Sequence, residues 1–354
     1  MNPFTWISRR TSELSSLAIA VGMALTCVGG LAAAQAAQST QASQALQGHV
    51  FLPLPEGARP VSEPADGYRL QRVGDHAYVV IAGFVQATFV VTATGVVLID
   101  APPALADKLP IAIRSVTDKP VTHVILTHDH LDHIGAAPSF KGAKLIAHQA
   151  TVDLLKIYPD PKRPLPQIVF TGERKRLDIG GVRFDLIYPG ANHEQGNFIV
   201  HVPQDRLVVM TDLVMPGWVP YRAWGNADHI PGILKAHDAV LALDFDTYVG
   251  GHVYRTGTRQ DVIDSREFWL DLWNWTGEAM GKVPFDATVA EPGHVWAAQK
   301  VWFDRIADQV TARLVGKWGK RLGGVDTFTH DTVIAVIVSA YTDTPNFPKG
   351  ALVD

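Results

Sequence analysis

Thiol chemistry is almost missing from this chain, whose only cysteine is Cys27. One thiol cannot build an internal disulfide framework or a multi-cysteine metal cluster. Positive charge is also sparse and scattered: 31 basic residues stand against 35 acidic ones, and no Lys/Arg block is present. A surface of net charge −4 without such a block has no electrostatic footprint for nucleic acid, so no nucleic-acid partner is expected. The apolar stretch Leu17 to Val28 is short of the about twenty residues a bilayer span needs, and glycine and threonine interrupt it. What the chain has in quantity is core-forming material: 354 residues, 47% of them apolar, suffice for one large domain or two modest ones.

The first 36 residues read as an export signal. Arg9 and Arg10 supply a positive start, Leu17 to Val28 the apolar region, and Ala34-Gln35-Ala36 a small-residue cleavage site. Ser8-Arg9-Arg10-Thr11-Ser12 also hints at twin-arginine export, with Ser12 where that signal prefers an apolar residue. Cys27 lacks the small residues before it that lipid attachment needs. A mature chain from Ala37 would be periplasmic or secreted, with no stable membrane span and no thiol. Loss of Arg9, Arg10 and Glu13 leaves it 29 basic against 34 acidic residues, a net of −5. Residues 37–66 form an N-terminal extension that begins as a linker of Ser, Thr, Gln and Ala, with little to bury.

His128-Asp129-His130-Leu131-Asp132-His133 packs imidazoles and carboxylates into six residues, directly after the apolar segment Val121 to Leu126. A strand ending in such a loop holds chemistry on a rigid scaffold. Neutral imidazole and ionised carboxylate suit zinc, and the mixed donors also admit iron or manganese. Three more candidates follow strand-like stretches: His193 after Pro189-Gly190, Asp212 after Leu207 to Met210, and His252 after Gly250-Gly251. Small residues beside them let backbone and metal approach closely.

In this order, His128-x-His130-x-Asp132-His133, His193, Asp212 and His252 resemble the metal signature of the metallo-β-lactamase-fold hydrolases, over about Gly67 to Tyr254. Gly95-Val96-Val97-Leu98-Ile99-Asp100 is similar to that family's early strand and its terminal aspartate, which would hold a metal loop or ligand imidazole in register. The resemblance implies an α/β fold, the four-layer αβ/βα sandwich. It implies that His128, His130 and His193 hold one metal and Asp132, His133 and His252 a second, with Asp212 bridging. Two zinc ions, or iron or manganese, about 3.5 to 4 Å apart would activate a shared water for attack on a carbonyl or phosphoryl centre. Asp132 would orient the nucleophile. Aspartate where some β-lactamases of the family place cysteine argues against antibiotic hydrolysis. The leading expectation is a lactone or carboxylic ester hydrolase. Next come a β-lactamase, then a phosphate or sulfate ester hydrolase. A non-hydrolytic di-iron or binding protein is the alternative of a different class. Tyr221 occupies a region from which lactone-hydrolysing relatives place a tyrosine over the substrate. Trp218 and Trp224 flank it and suggest an apolar mouth for a small molecule with an apolar portion. Asn226 and His229 read as a solvated turn.

Periodicity and turn residues predict strands at Tyr68 to Val73, Ala77 to Ile81, Ala87 to Thr92, Gly95 to Ile99, Val121 to Leu126 and Lys144 to His148. Further strands are predicted at Val182 to Tyr188, Asn197 to Val202, Leu207 to Met210 and Thr247 to Val249, and helices at Ala104 to Val116, Ala150 to Ile157 and Ile233 to Leu243. The Pro-rich stretch Tyr158 to Pro166 is a loop able to border a site. Residues 67–254 are expected to form the catalytic domain and 255–354 a mainly helical extension packed on it, or serving as a lid or dimer surface. Its tryptophans, Trp269, Trp273, Trp302 and Trp318, recur at near-helical spacing. Thr332 to Ala340 suits either a strand or a buried helix. Self-association is left open. The export reading has a direct check: N-terminal sequencing of the protein from a periplasmic or culture-supernatant fraction should begin at Ala37, and a start at Met1 there would contradict it.

Overall fold

The computed structural model describes residues 50–343. The expected signal segment 1–36 and residues 37–49 of the extension lie outside the described residues. Two sheets form the centre. The first orders its strands β1 (Arg69–Arg72), β2 (Ala77–Ala82), β3 (Val85–Val91), β4 (Val96–Ile99), β5 (Val121–Ile125), β6 (Lys144–His148) and β7 (Ile168–Phe170) side by side. β1 to β4 pair antiparallel, β4 to β7 parallel. The second runs β12 (Thr247–Val249), β11 (Leu207–Val209), β10 (Ile199–Val202), β9 (Val182–Ile187), β8 (Arg174–Ile179), antiparallel except for the β11–β12 pair.

Strand side chains alternate between faces, and here both faces of each sheet are covered. Ala77, Val79, Ile81, Val97, Ile99 and Ile125 of the first sheet meet Phe184, Leu186, Val200 and Val209 of the second in one buried cluster. The first sheet's other face, with Val80, Phe89, Leu98 and Val124, packs on Leu105 and on Leu109, Ala112 and Ile113, the last three from α1 (Lys108–Val116). The outer face of the second, with Ile199, Val208 and Tyr248, packs on α4 (Gly232–Leu241), α5 (Arg259–Lys282), α6 (Val295–Trp318) and α7 (Val325–Thr342). Helix, sheet, sheet, helix is the four-layer sandwich. Two single-purpose helices, α2 (Leu131–Ile134) and α3 (Gln149–Ile157), follow β5 and β6.

The predicted elements fall within a few residues of those observed, and two strands were missed. β8 reads Arg-Lys-Arg-Leu-Asp-Ile, with charge on both faces, because it is an edge strand that mostly faces water. β7 is a three-residue edge with too few positions to show a period. The ambiguous Thr332 to Ala340 lies in α7, a helix. The helices beyond residue 254 share their core with the second sheet: Trp269, Trp318, Val333 and Ile337 sit in the same buried cluster as Val208 and Tyr248. Among the described residues, no helix is long and apolar enough to cross a membrane.

Candidate metal centre

The site forms where loops leave β4, β5, β9, β11 and β12. His128, His130, Asp132 and His133 arrive on the loop and one-turn helix α2 after β5. His193 follows β9, Asp212 follows β11, and His252 follows β12. All seven converge. Nδ1 of His130 lies 3.2 Å from Nε2 of His193, and Nε2 of His133 lies 3.0 Å from Nε2 of His252. Asp212 stands among them. Its Oδ2 is 3.1 Å from His133 Nε2, 3.2 Å from His193 Nε2 and 3.6 Å from His128 Nε2, while Oδ1 is 3.3 Å from His252 Nε2. Asp132 is the exposed member, 3.5 Å from His133 and 3.8 Å from His252.

Two donor groups emerge, His128/His130/His193/Asp212 and Asp132/His133/His252, whereas the sequence resemblance implied Asp212 bridging the two. Whether such a set suits a cation can be judged from unmet valence. His128 Nε2 and Asp212 Oδ1 are buried without a hydrogen-bond partner among the described residues, and polar atoms are rarely buried in that condition unless something binds them. Burial, with His133 and His130 alongside, holds His128 well below the ordinary imidazole range, and burial and His193 lower His130. Both are therefore neutral at pH 7, the form that ligates metal. The donor chemistry fits divalent cations, with zinc usual for such nitrogen and oxygen sets.

Behind the donors a buried polar chain fixes their aim. Asp100, at the end of β4, accepts hydrogen bonds from the Thr127 amide and hydroxyl at 2.9 and 2.7 Å and from the Thr211 hydroxyl at 2.9 Å. The Thr127 hydroxyl, having given its proton to Asp100, can only accept from His128 Nδ1, 3.0 Å away. That fixes the His128 tautomer and leaves Nε2 as a free lone pair. One carboxylate thus ties the loop carrying His128 to the loop carrying Asp212. Asp100 and Asp212 both adopt positive φ, 60° and 64°, conformations uncommon outside glycine and concentrated at functional sites. The Tyr248 hydroxyl donates to the Met210 carbonyl and accepts from the Val214 amide, clamping both sides of Asp212. Arg163, from the Pro-rich loop, donates to the Asp129 carbonyl and carboxylate and braces the His128–His133 loop from outside.

A cavity of about 410 Å³ opens over His130, Asp132, His193, Asp212 and His252. Tyr221 and Trp218 line it, and so does Asn226, which is exposed in the turn the sequence suggested. Trp224 does not belong to the mouth. It is 1% exposed, packs on Trp269 at 4.6 Å and donates its indole N–H to the Leu213 carbonyl. The reason is local: Ala223, Trp224, Gly225 and Asn226 all have φ between 48° and 73°, a left-handed turn that swings the indole inward. Left-handed backbone costs about 1–2 kcal/mol per non-glycine residue, and the buried indole offsets part of that. Gly225 is needed for a second reason, since a Cβ there would come within 3.2 Å of His193 Nδ1. His229 is absent from the lining, and its amide bonds to the Asn192 carbonyl. Phe84, Thr327 and Phe328 also line it. Nothing in the sequence pointed to them.

With fold and donor set in view, the chain's family is clear. The sequence profile of the metallo-beta-lactamase superfamily matches residues 80–267, just over half of the chain, and the protein belongs to that superfamily, whose members are mostly metal-dependent hydrolases. Among characterised relatives, the 2,4-dinitroanisole O-demethylase subunit alpha of Nocardioides sp. (strain JS1661) is 30% identical over 62% of this chain and 68% of its own length. The beta subunit of the same enzyme is 32% identical, over 49% of this chain and 52% of its own. Metallo-beta-lactamase type 2 of Bacillus cereus is 30% identical over 33% of this chain and 46% of its own. Among solved structures, a sec-alkyl sulfatase double mutant superposes with a TM-score of 0.55 at 15% identity, covering 80% of this chain and 52% of its own. A metallo-beta-lactamase from Pontibacter korlensis gives 0.50 at 18% identity, over 57% of this chain and 99% of its own. These two likenesses concern the fold alone.

One proton in the metal-free site has a predictable fate. Burial disfavours charge on His133, but Asp212 outweighs it and the imidazole is pushed up to about 9. Burial likewise raises Asp212, yet His133 and His193 dominate and hold its carboxyl well below the carboxylate range. At pH 7 the metal-free pair is therefore His133 cation and Asp212 anion, and a cation taking both as ligands must expel the His133 proton. Titration calorimetry of zinc into metal-free protein at pH 7, repeated in buffers of different ionisation enthalpy, should report at least one proton released per chain, that of His133, with any ionised metal-bound water adding to it. Affinity should rise with pH up to about 9 and level above it. No dependence on the buffer would show that His133 does not carry a displaceable proton in the metal-free protein.

Proposed function

We propose that the protein is a metal-dependent hydrolase of small, electrically neutral substrates with a sizeable apolar group, foremost lactones and carboxylic esters, working with two zinc ions in the periplasm or outside the cell. The observation that carries this reading is the cavity wall. Phe84, Met215, Trp218, Val219, Tyr221, Val253 and Phe328 surround the donor cluster, and among the described residues none that lines the cavity is lysine or arginine. Any charge of a β-lactam carboxylate, a sulfate ester or a phosphate ester that lies away from the metals would find no side-chain cation on this wall to offset it, and a desolvated charge without a partner is costly. A neutral ester meets no such penalty. The absence of cysteine from the donor set agrees.

When bound, the cations supply Lewis acidity and a lowered pKa for water. The chain's own residues do the rest. Asp132, with 66% of its side chain exposed on the cavity side, accepts the hydrogen bond of the attacking water and aims it. Tyr221 offers a hydroxyl to the carbonyl oxygen as charge develops there. The aromatic wall excludes bulk water from the reacting carbonyl.

A second reading has its own support. The subunit alpha relative is named for O-demethylation of 2,4-dinitroanisole, and it spans more of this chain than the β-lactamase relative does. A neutral aryl alkyl ether also suits an aromatic cavity without cations. Two relatives that are subunits of one enzyme further support assembly of this chain with a second copy or a related chain.

The test compares kcat/KM of zinc-loaded enzyme on lactones of increasing alkyl length, a penicillin, an alkyl sulfate and 2,4-dinitroanisole. Lactone hydrolysis should rise about three- to fourfold per methylene until the cavity fills, following about 0.8 kcal/mol per buried methylene, and should exceed penicillin and sulfate turnover. Tyr221→Phe should lower kcat about ten- to a thousandfold without changing metal content. Efficient penicillin turnover with a flat lactone series would overturn the proposal, and turnover of dinitroanisole alone would favour the second reading.

A further inference from the structure

The wall of the cavity that faces the donor cluster is not supplied by the sandwich alone. α7, the last helix described, presents Thr327 and Phe328 of its first turn to the cavity, beside Gly324 at its N-cap. Val325, Thr329, Val333 and Val336 on its other side are buried. Phe328 stands edge-to-face with Tyr221, ring centroids 4.8 Å apart and planes at 64°. This pairing is held from several directions. One helical turn on, Asp331 pairs with Arg222 at 3.3 Å. Val219 donates its amide to the Gly323 carbonyl, and the Gly323 amide donates to the Gly217 carbonyl. The left-handed turn that carries Tyr221 is anchored through buried Trp224. Thus the start of α7 and the Tyr221 turn form one fixed unit on the cavity, and its apolar surface consists largely of ring faces and edges.

We propose that Phe328, paired with Tyr221, is the specificity-determining residue of this cavity, and that the joint ring surface of the pair selects a planar aromatic group on a neutral substrate over a saturated one of equal size. The inference rests on the reading of the cavity as a site for neutral apolar substrates and names the apolar part. The physical basis is ring geometry. Area burial alone rewards a saturated ring at least as much as an aromatic one, because it follows apolar surface. Aromatic rings gain further from offset-stacked or edge-to-face contact, which is worth a factor of about two to ten in binding per good pair. Tyr221, Phe328, Phe84 and Trp218 all line the same cavity, so an aromatic guest finds such partners on more than one side. A saturated guest does not.

The experiment separates recognition from turnover. Binding of 2-naphthalenemethanol and of its fully saturated decahydro analogue, both neutral and neither a hydrolase substrate, is measured by calorimetry on the zinc-loaded mature protein. The aromatic alcohol should bind about three- to tenfold more tightly. Phe328→Leu, which keeps apolar volume and removes the ring, should erase most of that preference, Tyr221→Leu should lower it from the other side, and Phe328→Tyr should retain it. Equal binding of the two alcohols, or a preference that survives Phe328→Leu, overturns the proposal. The acetate esters of the same alcohols, offered in parallel, test turnover. If neither is hydrolysed while the ring preference and its loss in Phe328→Leu persist, the role of the pair stands and the ester reading falls.

Discussion

The buried carboxylate of Asp212 is the constraint around which the rest is arranged. Its two oxygens lie within 3.1 to 3.6 Å of His128, His133, His193 and His252, a density of imidazoles that only a strong counter-charge or a cation makes tolerable. Holding that carboxylate in place requires a positive φ, uncommon outside glycine though less so for aspartate than for most residues, and the surroundings enforce it. Tyr248 brackets the loop, Asn197 donates to the Thr211 carbonyl, and the Thr211 hydroxyl reaches back to Asp100. Asp100 in turn fixes Thr127 and, through it, the proton on His128. This buried chain of hydrogen bonds helps tie the two sheets together at the site. Such networks are rigid when fully satisfied, which suits a centre whose ligands must be preorganised.

How much of this was legible in the sequence depends on whether the signal was local. His128 to His133 could be read directly because its donors share a single loop, and the apolar run before them marked the strand that delivers it. Asp212 and His252 were readable because each follows a strand-like stretch, and chemistry collects where strands end. The grouping of donors came from resemblance rather than from spacing; the structure brings the seven side chains together. Trp224 shows the opposite case. Adjacent to cavity residues in sequence, it was expected on the wall, but four consecutive left-handed residues turn its side chain into the core. No composition rule signals that turn beyond the presence of Gly225 and Asn226.

Phe328 was invisible for a different reason. It lies 76 positions after His252 in a helix whose apolar residues cover most of its circumference, so no stripe marked one face as special. Only the docking of α7 on the Tyr221 turn makes it a cavity residue. The helices beyond residue 254 thereby do two things with one surface: they cover the outer face of the second sheet, and they close the cavity with a ring. The sandwich supplies the donors, whereas the part of the wall that distinguishes one apolar guest from another comes from this helical segment.

The account stands or falls on Asp212 lying between two cations. A crystal structure of the zinc-loaded protein with anomalous diffraction recorded on both sides of the zinc absorption edge tests this most directly. Two peaks about 3.5 to 4 Å apart are expected, one against His128, His130 and His193 and the other against Asp132, His133 and His252, with an oxygen of Asp212 in reach of both. A single peak at full zinc saturation, or two peaks with Asp212 turned away, would contradict it.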